Sequence, residues 1–240
     1  MPRRLIAALA LGLGLAGCTP VSQFMALGDR VEAVTEPIAL YVLTPKSTFD
    51  PGLPEVRRQL VIEEPIAASH LDTDRIAVKP GPYRVEYFPE VRWADRAPLL
   101  VRRLLVESFE NTRKVASVSA QRIGLASDFL LFTDLREFQA ATPPAEGDPV
   151  LVNVQLNLKI VEEQAGLIIA SANFGEVVAA ESEDPATVVV AFDQALGTVL
   201  KDSVEWAVRT IAGWSPEDGP LPLGGETLVP LPDAPAALSG

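Results

Sequence analysis

The sequence predicts an α+β domain: a largely antiparallel or mixed sheet with two amphipathic helices packed on one face. Three observations predict it. Residues 150–160 alternate strictly, Val150, Val152, Val154, Leu156, Leu158 and Ile160 against Leu151, Asn153, Gln155, Asn157 and Lys159, as a strand with one buried face must. Two other stretches, 97–112 and 186–212, switch to helical spacing. Strands cluster ahead of each of the two helices rather than alternating with them singly.

The opening strand is Ile38 to Leu43, bounded by Pro37 and Pro45, neither of which can donate to a ladder. Gln59 to Ile66 reads as a second strand, after the turn Pro51-Gly52-Leu53-Pro54. Arg75–Val78 and Tyr83–Phe88 flank Pro80-Gly81-Pro82 and form a hairpin. In 97–112, Leu100, Leu104, Leu105 and Phe109 share one helical face and Arg103, Glu107 and Glu110 lie on the rest; Pro98 suits the first turn and Asp95 the N-cap. Phe129–Phe138 is a strand, and the turn from Glu162 to Gly166 joins the alternating strand to a hairpin partner, Leu167–Val178. Asp184-Pro185 opens the last helix, whose stripe Val188, Phe192, Leu196, Val199, Ala207, Ile211 drifts around the axis. A bend or a second packing partner near Ser203 would account for the drift.

The chain has 240 residues, 48% hydrophobic and 22% charged, enough to bury a core without a metal or disulfide. One Cys and one His cannot supply a Cys/His zinc site, and a lone Cys cannot form an internal disulfide. A net charge of −12 argues against nucleic acid, whose phosphates need a basic face.

Membrane attachment is written at the N-terminus. Arg3 and Arg4 precede an apolar run from Leu5 to Leu15, then Ala16 and Gly17, then the sole cysteine, Cys18. A charged start, a short apolar run and small residues make a secretory signal, and the run is below the roughly 20 residues of a spanning helix. Leu15-Ala16-Gly17-Cys18 resembles the bacterial lipobox, which implies cleavage before Cys18 and acylation of its thiol and new N-terminus. At about 0.8 kcal/mol per buried methylene, two or three chains anchor essentially permanently. Among sorted lipoproteins, Asp after the cysteine retains the protein in the inner membrane; Thr19 stands here, which implies the outer membrane. Cleavage removes Arg3 and Arg4, so the mature net charge moves from −12 to −14. We therefore divide the chain into a signal peptide (1–17), a lipidated cysteine and tether (18–37), a folded domain (38–214) and a Pro/Gly-rich flexible tail (215–240).

The search for chemistry is mostly empty. There is no Gly-x-x-x-x-Gly-Lys-Ser/Thr phosphate loop and no Gly-x-Ser-x-Gly elbow. Ser69, His70, Asp72 and Asp74 are close in sequence, but neighbours on extended chain point apart, and a triad must converge from separate segments. The acid pairs Glu63-Glu64 and Glu162-Glu163 read as solvated edge charges. Trp93 reads as a core plug at a strand-to-helix junction, with the wall of a ligand groove as the alternative. The wet face of 150–160 (Asn153, Gln155, Asn157, Lys159) fits either plain solubility or a partner rim. We expect no catalytic residue, no cofactor and no metal.

Several segments resemble the ABC-type transport auxiliary lipoproteins. Leu40-Tyr41-Val42-Leu43 is similar to their opening Tyr-x-Leu strand, and His70-Leu71-Asp72-Thr73-Asp74-Arg75-Ile76 to their Tyr-Leu-Asp-Arg-x-x-Ile segment. Arg92-Trp93-Ala94-Asp95 resembles their Arg-Trp-Ala-Glu/Asp before a Leu-rich helix. This chain departs from the pattern with His70 in place of Tyr and with Thr73-Asp74. The resemblance covers residues 38–213 and marks Tyr41, Leu43, Leu71, Asp72, Ile76, Trp93 and Asp95 as structural or interface positions. It implies a non-enzymatic accessory of a lipid transport system. Its partners would be a periplasmic Mce-type (mammalian cell entry) protein and, through it, a permease and ATPase, with the acyl chains seated in the outer membrane. A structural or regulatory lipoprotein of outer-membrane or cell-wall assembly is the alternative. Taking 150–160 as a long, exposed sheet edge, we also expect homo-oligomerisation.

Overall fold

The computed structural model describes residues 38–120, 127–142, 148–217, 219 and 227–228. The signal peptide, Cys18 and the tether fall outside the described residues. The elements are β1 (Ala39–Tyr41), β2 (Val56–Ile62), β3 (Ile66–Ala67), β4 (Arg75–Gly81), β5 (Arg84–Trp93), α1 (Ala97–Thr112), β6 (Val115–Ser119), β7 (Phe129–Ala141), β8 (Leu151–Glu162), β9 (Leu167–Ala179), α2 (Pro185–Gly213) and β10 (Thr227–Leu228).

All the strands belong to one mixed sheet, and β7 is its spine. Along one edge β7 takes three short parallel partners end to end: β2 at Phe129–Leu131, β3 at Asp134–Leu135 and β4 at Gln139–Ala141. Its other edge pairs with β8 antiparallel over the whole length, shifted once at Arg136, and β8 pairs in turn with β9. The long ladders are thus antiparallel and the short ones (β1/β5, β2/β6, β9/β10 and those along β7) parallel. Gly166 closes the β8–β9 hairpin at φ 66°, a conformation that costs a residue with a Cβ.

Val152, Val154, Leu156, Leu158 and Ile160 of β8 are fully buried, as the alternation predicts. Both helices lie on that face. α1 buries Leu100, Val101, Leu104, Leu105 and Phe109, and α2 buries Val188, Phe192, Leu196, Val199, Val204 and Ile211, in one continuous core. α2 packs on β8 and β9 and also on α1 and β2. This second set of partners explains the drifting stripe: the helix buries more than one side. Ser203, wholly buried in mid-helix, satisfies its hydroxyl on the Leu200 carbonyl at 3.2 Å.

Several expectations need correction. Strand β8 is not a sheet edge; it has a full-length partner on each side, so the edge argument for homo-oligomerisation does not apply to it. The expected strand Gln59–Ile66 is two, because Pro65 interrupts the ladder between β2 and β3. Asp95 is not the N-cap of α1. Arg96 holds that position without a side-chain cap bond, and Asp95 accepts only from the Arg96 N–H at 2.8 Å. The cap is supplied from a distance: the Ala97 N–H donates to the Thr73 carbonyl at 3.0 Å. Asp184 does cap α2, accepting from the Ala186 N–H at 3.0 Å. Asn157, expected on the wet face, is 2% exposed. Within the expected tail, Thr227–Leu228 pair with Ala172–Asn173 of β9; most of the rest lies outside the described residues.

Candidate functional site

The residues singled out from sequence converge on one junction. β1 runs beside the end of β5, placing Tyr41 opposite Trp93, and the Tyr41 carbonyl accepts from the Ala94 N–H at 2.8 Å. The Trp93 N–H donates to the Asp74 carbonyl at 2.7 Å, so the Asp72–Ile76 segment is stitched to the same corner. Trp93 is 1% exposed, with its ring edge-on to Phe192 at 5.1 Å and tilted against Phe138 at 5.5 Å. Leu43, Leu71 and Ile76 are buried in the same core, and Tyr41 is half-buried against it. Outside this apolar plug lies a belt of ion pairs: Arg92–Asp74 at 3.0 Å, Arg96–Asp72 at 3.1 Å and Arg96–Glu64 at 2.6 Å. Asp72 is therefore an arginine partner, while Asp95 stands beside the belt. The junction ties β1, β4, β5 and α1 together. Of Trp93's two readings, it takes the core plug.

The catalytic candidates do not converge. The His70 ring makes no hydrogen bond or ion pair among the described residues; only its backbone carbonyl is engaged, by the Tyr87 hydroxyl at 3.3 Å. The acid pairs split. Glu64 faces Arg96 and, at 3.9 Å, Arg102. Glu162 caps its own turn, accepting from the Gln164 and Ala165 N–H groups at 3.0 and 2.7 Å, whereas Glu163 accepts from the Ser127 N–H at 3.1 Å. Among the described residues, no three His, Cys, Asp or Glu side chains are grouped to hold a metal.

The side of β7–β9 turned away from the core holds two features. One is a polar network. The Asn157 amide donates to the Asn173 side-chain carbonyl at 3.0 Å, which also accepts from Arg136 at 2.8 Å, and Arg136 pairs with Asp134 at 3.3 Å. Both asparagines are nearly excluded from water, so this part of the presumed wet face is a satisfied network.

The other is a groove of about 300 Å³ lined by Ile66, Phe132, Val161 and Ile168, with Glu64, Asp134 and Lys159 beside them. Ile66 is 69% exposed, Phe132 43% and Ile168 42%, so three large apolar side chains stand together in water. Contiguity sets them apart from the scattered apolar residues of an ordinary surface. Sequence reasoning named Lys159, Asn157 and Glu64 of this lining and missed its apolar residues. The available signal was Phe132, an aromatic residue at a polar-face register position of β7, opposite Lys159.

A larger hollow of about 530 Å³ lies by the β8–β9 turn, lined by Arg58, Asp128, Phe129 and Trp214 among others. Its charges are consumed internally: Arg58 pairs with Asp128 at 3.2 Å, and Asp128 also accepts from the Gln59 N–H at 2.7 Å. Among the described residues, no helix is long and apolar enough to cross a membrane.

Comparison with known proteins places this architecture. The uncharacterized protein bll6063 of Bradyrhizobium diazoefficiens is 30% identical over 172 residues, covering 71% of this chain but 45% of the relative, so the chain spans less than half of that protein's length. The crystal structure of protein XCC0632 from Xanthomonas campestris is similar at TM-score 0.66 and 31% identity, covering 72% of this chain and 95% of the other. Another solved but uncharacterized protein shares the fold at TM-score 0.50 and 16% identity, over 74% and 97% of the two chains. The profile of the family described as "ABC-type transport auxiliary lipoprotein component" matches residues 41–202, from the end of β1 well into α2, and the chain belongs to that family.

Proposed function

We propose that this chain is the outer-membrane-anchored auxiliary lipoprotein of an Mce/ABC-type lipid transport system. It docks a periplasmic Mce-domain protein, and through it the permease and ATPase, to the outer membrane. The observation that carries the reading is the family match over most of the folded domain, 41–202. Cys18 is the point of acylation, and the tether of residues 19–37 gives the domain reach from the bilayer. The motif junction around Trp93 serves as scaffold, and the domain performs no chemistry on the lipid.

The test is affinity purification of the full-length, acylated protein from cross-linked cells. Recovery of an Mce-domain protein supports the reading. Recovery of cell-wall synthases or barrel-assembly proteins alone, from fully solubilised membranes, refutes it. Metabolic acyl labelling lost in Cys18→Ala supports the anchor, and equal labelling of both proteins refutes it.

A further inference from the structure

We propose that the groove on the open face of β7–β9 binds the acyl chain of a single-chain anionic lipid, with Lys159 receiving its head group. The inference is argued from the groove and not from the docking reading, which gives lipid to the transport system and no lipid site to this domain. It starts from the three exposed apolar side chains, Ile66, Phe132 and Ile168, which converge with Val161 on one groove although they come from different strands or their ends. At about 300 Å³ the groove lies at the bottom of the ligand-sized range, roughly 300–1,000 Å³, which suits one chain and not two.

Charge decides what else the ligand carries. Both carboxylates lining the groove are already neutralised: Glu64 by Arg96 at 2.6 Å and Arg102 at 3.9 Å, and Asp134 by Arg136 at 3.3 Å. Lys159 lines the same groove, is exposed, and has no carboxylate partner among the described residues. In a chain of net charge −12, a cation left over beside an apolar slot is a local reversal of sign. A long chain ending in a carboxylate or phosphate matches both halves of the site. A neutral apolar segment would leave the ammonium unused, and a cationic one would be repelled.

The experiment uses the full-length acylated protein in phosphatidylcholine vesicles. The probe is a palmitate analogue carrying a chain diazirine; the controls are the matching alcohol and a two-chain phosphatidylglycerol with the same diazirine. Irradiation followed by peptide mapping should place the palmitate label on the Phe132 and Ile168 segments. Phe132→Asp should cut that label at least about fivefold, and Ile168→Ser should do the same should the first variant fold poorly. Lys159→Gln should weaken labelling by the acid about threefold and leave the alcohol unchanged, with Lys159→Arg restoring the acid preference. Label spread evenly over the surface, or unaffected by both apolar variants, overturns the proposal. Equal loss of acid and alcohol in Lys159→Gln overturns the head-group assignment, and equal labelling by the two-chain probe overturns the single-chain assignment. Loss of a co-purifying protein in Phe132→Asp with probe labelling intact overturns it in favour of a protein-docking face.

Discussion

Trp93→Ala tests whether the motif junction is a packing device. The ring is 1% exposed and touches two further buried rings, Phe192 at 5.1 Å and 84°, and Phe138 at 5.5 Å and 46°. Truncating a buried Trp to Ala costs about 3–5 kcal/mol in transfer and cavity terms, and each aromatic pair adds roughly 0.5–1.5 kcal/mol beyond area. The loss falls at the upper end because β5, β7 and α2 converge on this ring and cannot collapse independently. We expect about 4–5 kcal/mol, a large share of the roughly 5–15 kcal/mol a domain of this kind holds. At about 2–4 °C per kcal/mol the midpoint should drop by roughly 10 °C or more. Urea unfolding followed by far-UV circular dichroism measures it, with Trp93→Phe expected at less than half the loss. A loss below about 2 kcal/mol at unchanged m-value would refute the assignment of Trp93 as the plug.

Four further outcomes are expected. Among the described residues the buried Thr133 hydroxyl has no hydrogen-bond partner, so Thr133→Val should raise stability by about 1 kcal/mol in the same assay; a loss would mean the hydroxyl is satisfied. Asp184→Ala removes the side-chain cap of α2 and should cost about 1 kcal/mol, with Asp184→Asn recovering most of it. Burial pushes the Glu205 carboxyl up, but the Asp50 N–H, Arg209 and Lys201 outweigh it and hold the group below the usual carboxylate range. Its contribution is therefore complete above the ordinary glutamate pKa and is lost as pH falls through the depressed one, so Glu205→Gln should flatten the acid limb of a stability–pH curve and leave the alkaline limb unchanged. Phe132→Ser should lower the unfolding free energy by no more than about 1–2 kcal/mol, well short of Trp93→Ala, because the ring is 43% exposed and lies outside the core cluster; a loss as large as that of Trp93→Ala would refute this placement.

Much of the fold is legible because its signals are local and periodic. The alternation in 150–160 shows its buried face directly, and the spacing of Leu100, Leu104, Leu105 and Phe109 marks α1 with Pro98 in its first turn. β6, five residues long and starting two residues after a left-handed Arg113 at φ 56°, leaves no period to detect and is held by pairing with β2. The end-to-end placement of β2, β3 and β4 along β7 is likewise invisible in sequence, since parallel partners are distant in the chain. The candidate groove was only partly readable: Lys159 stood out as polar, but Ile66 and Ile168 look like ordinary strand residues until their neighbours are known.

What residue order alone determined was the class of fold, the start of each helix from Pro98 or Asp184-Pro185, and the buried side of β8 and of α1, because these depend on spacing within one segment. Only the tertiary structure decided that β8 is interior, that Asn157 and Asn173 complete a network instead of meeting water, and that a backbone carbonyl from Thr73 replaces the expected Asp95 cap. Each of those outcomes depends on which group from a distant segment arrives to compete with solvent, and no local pattern encodes that arrival.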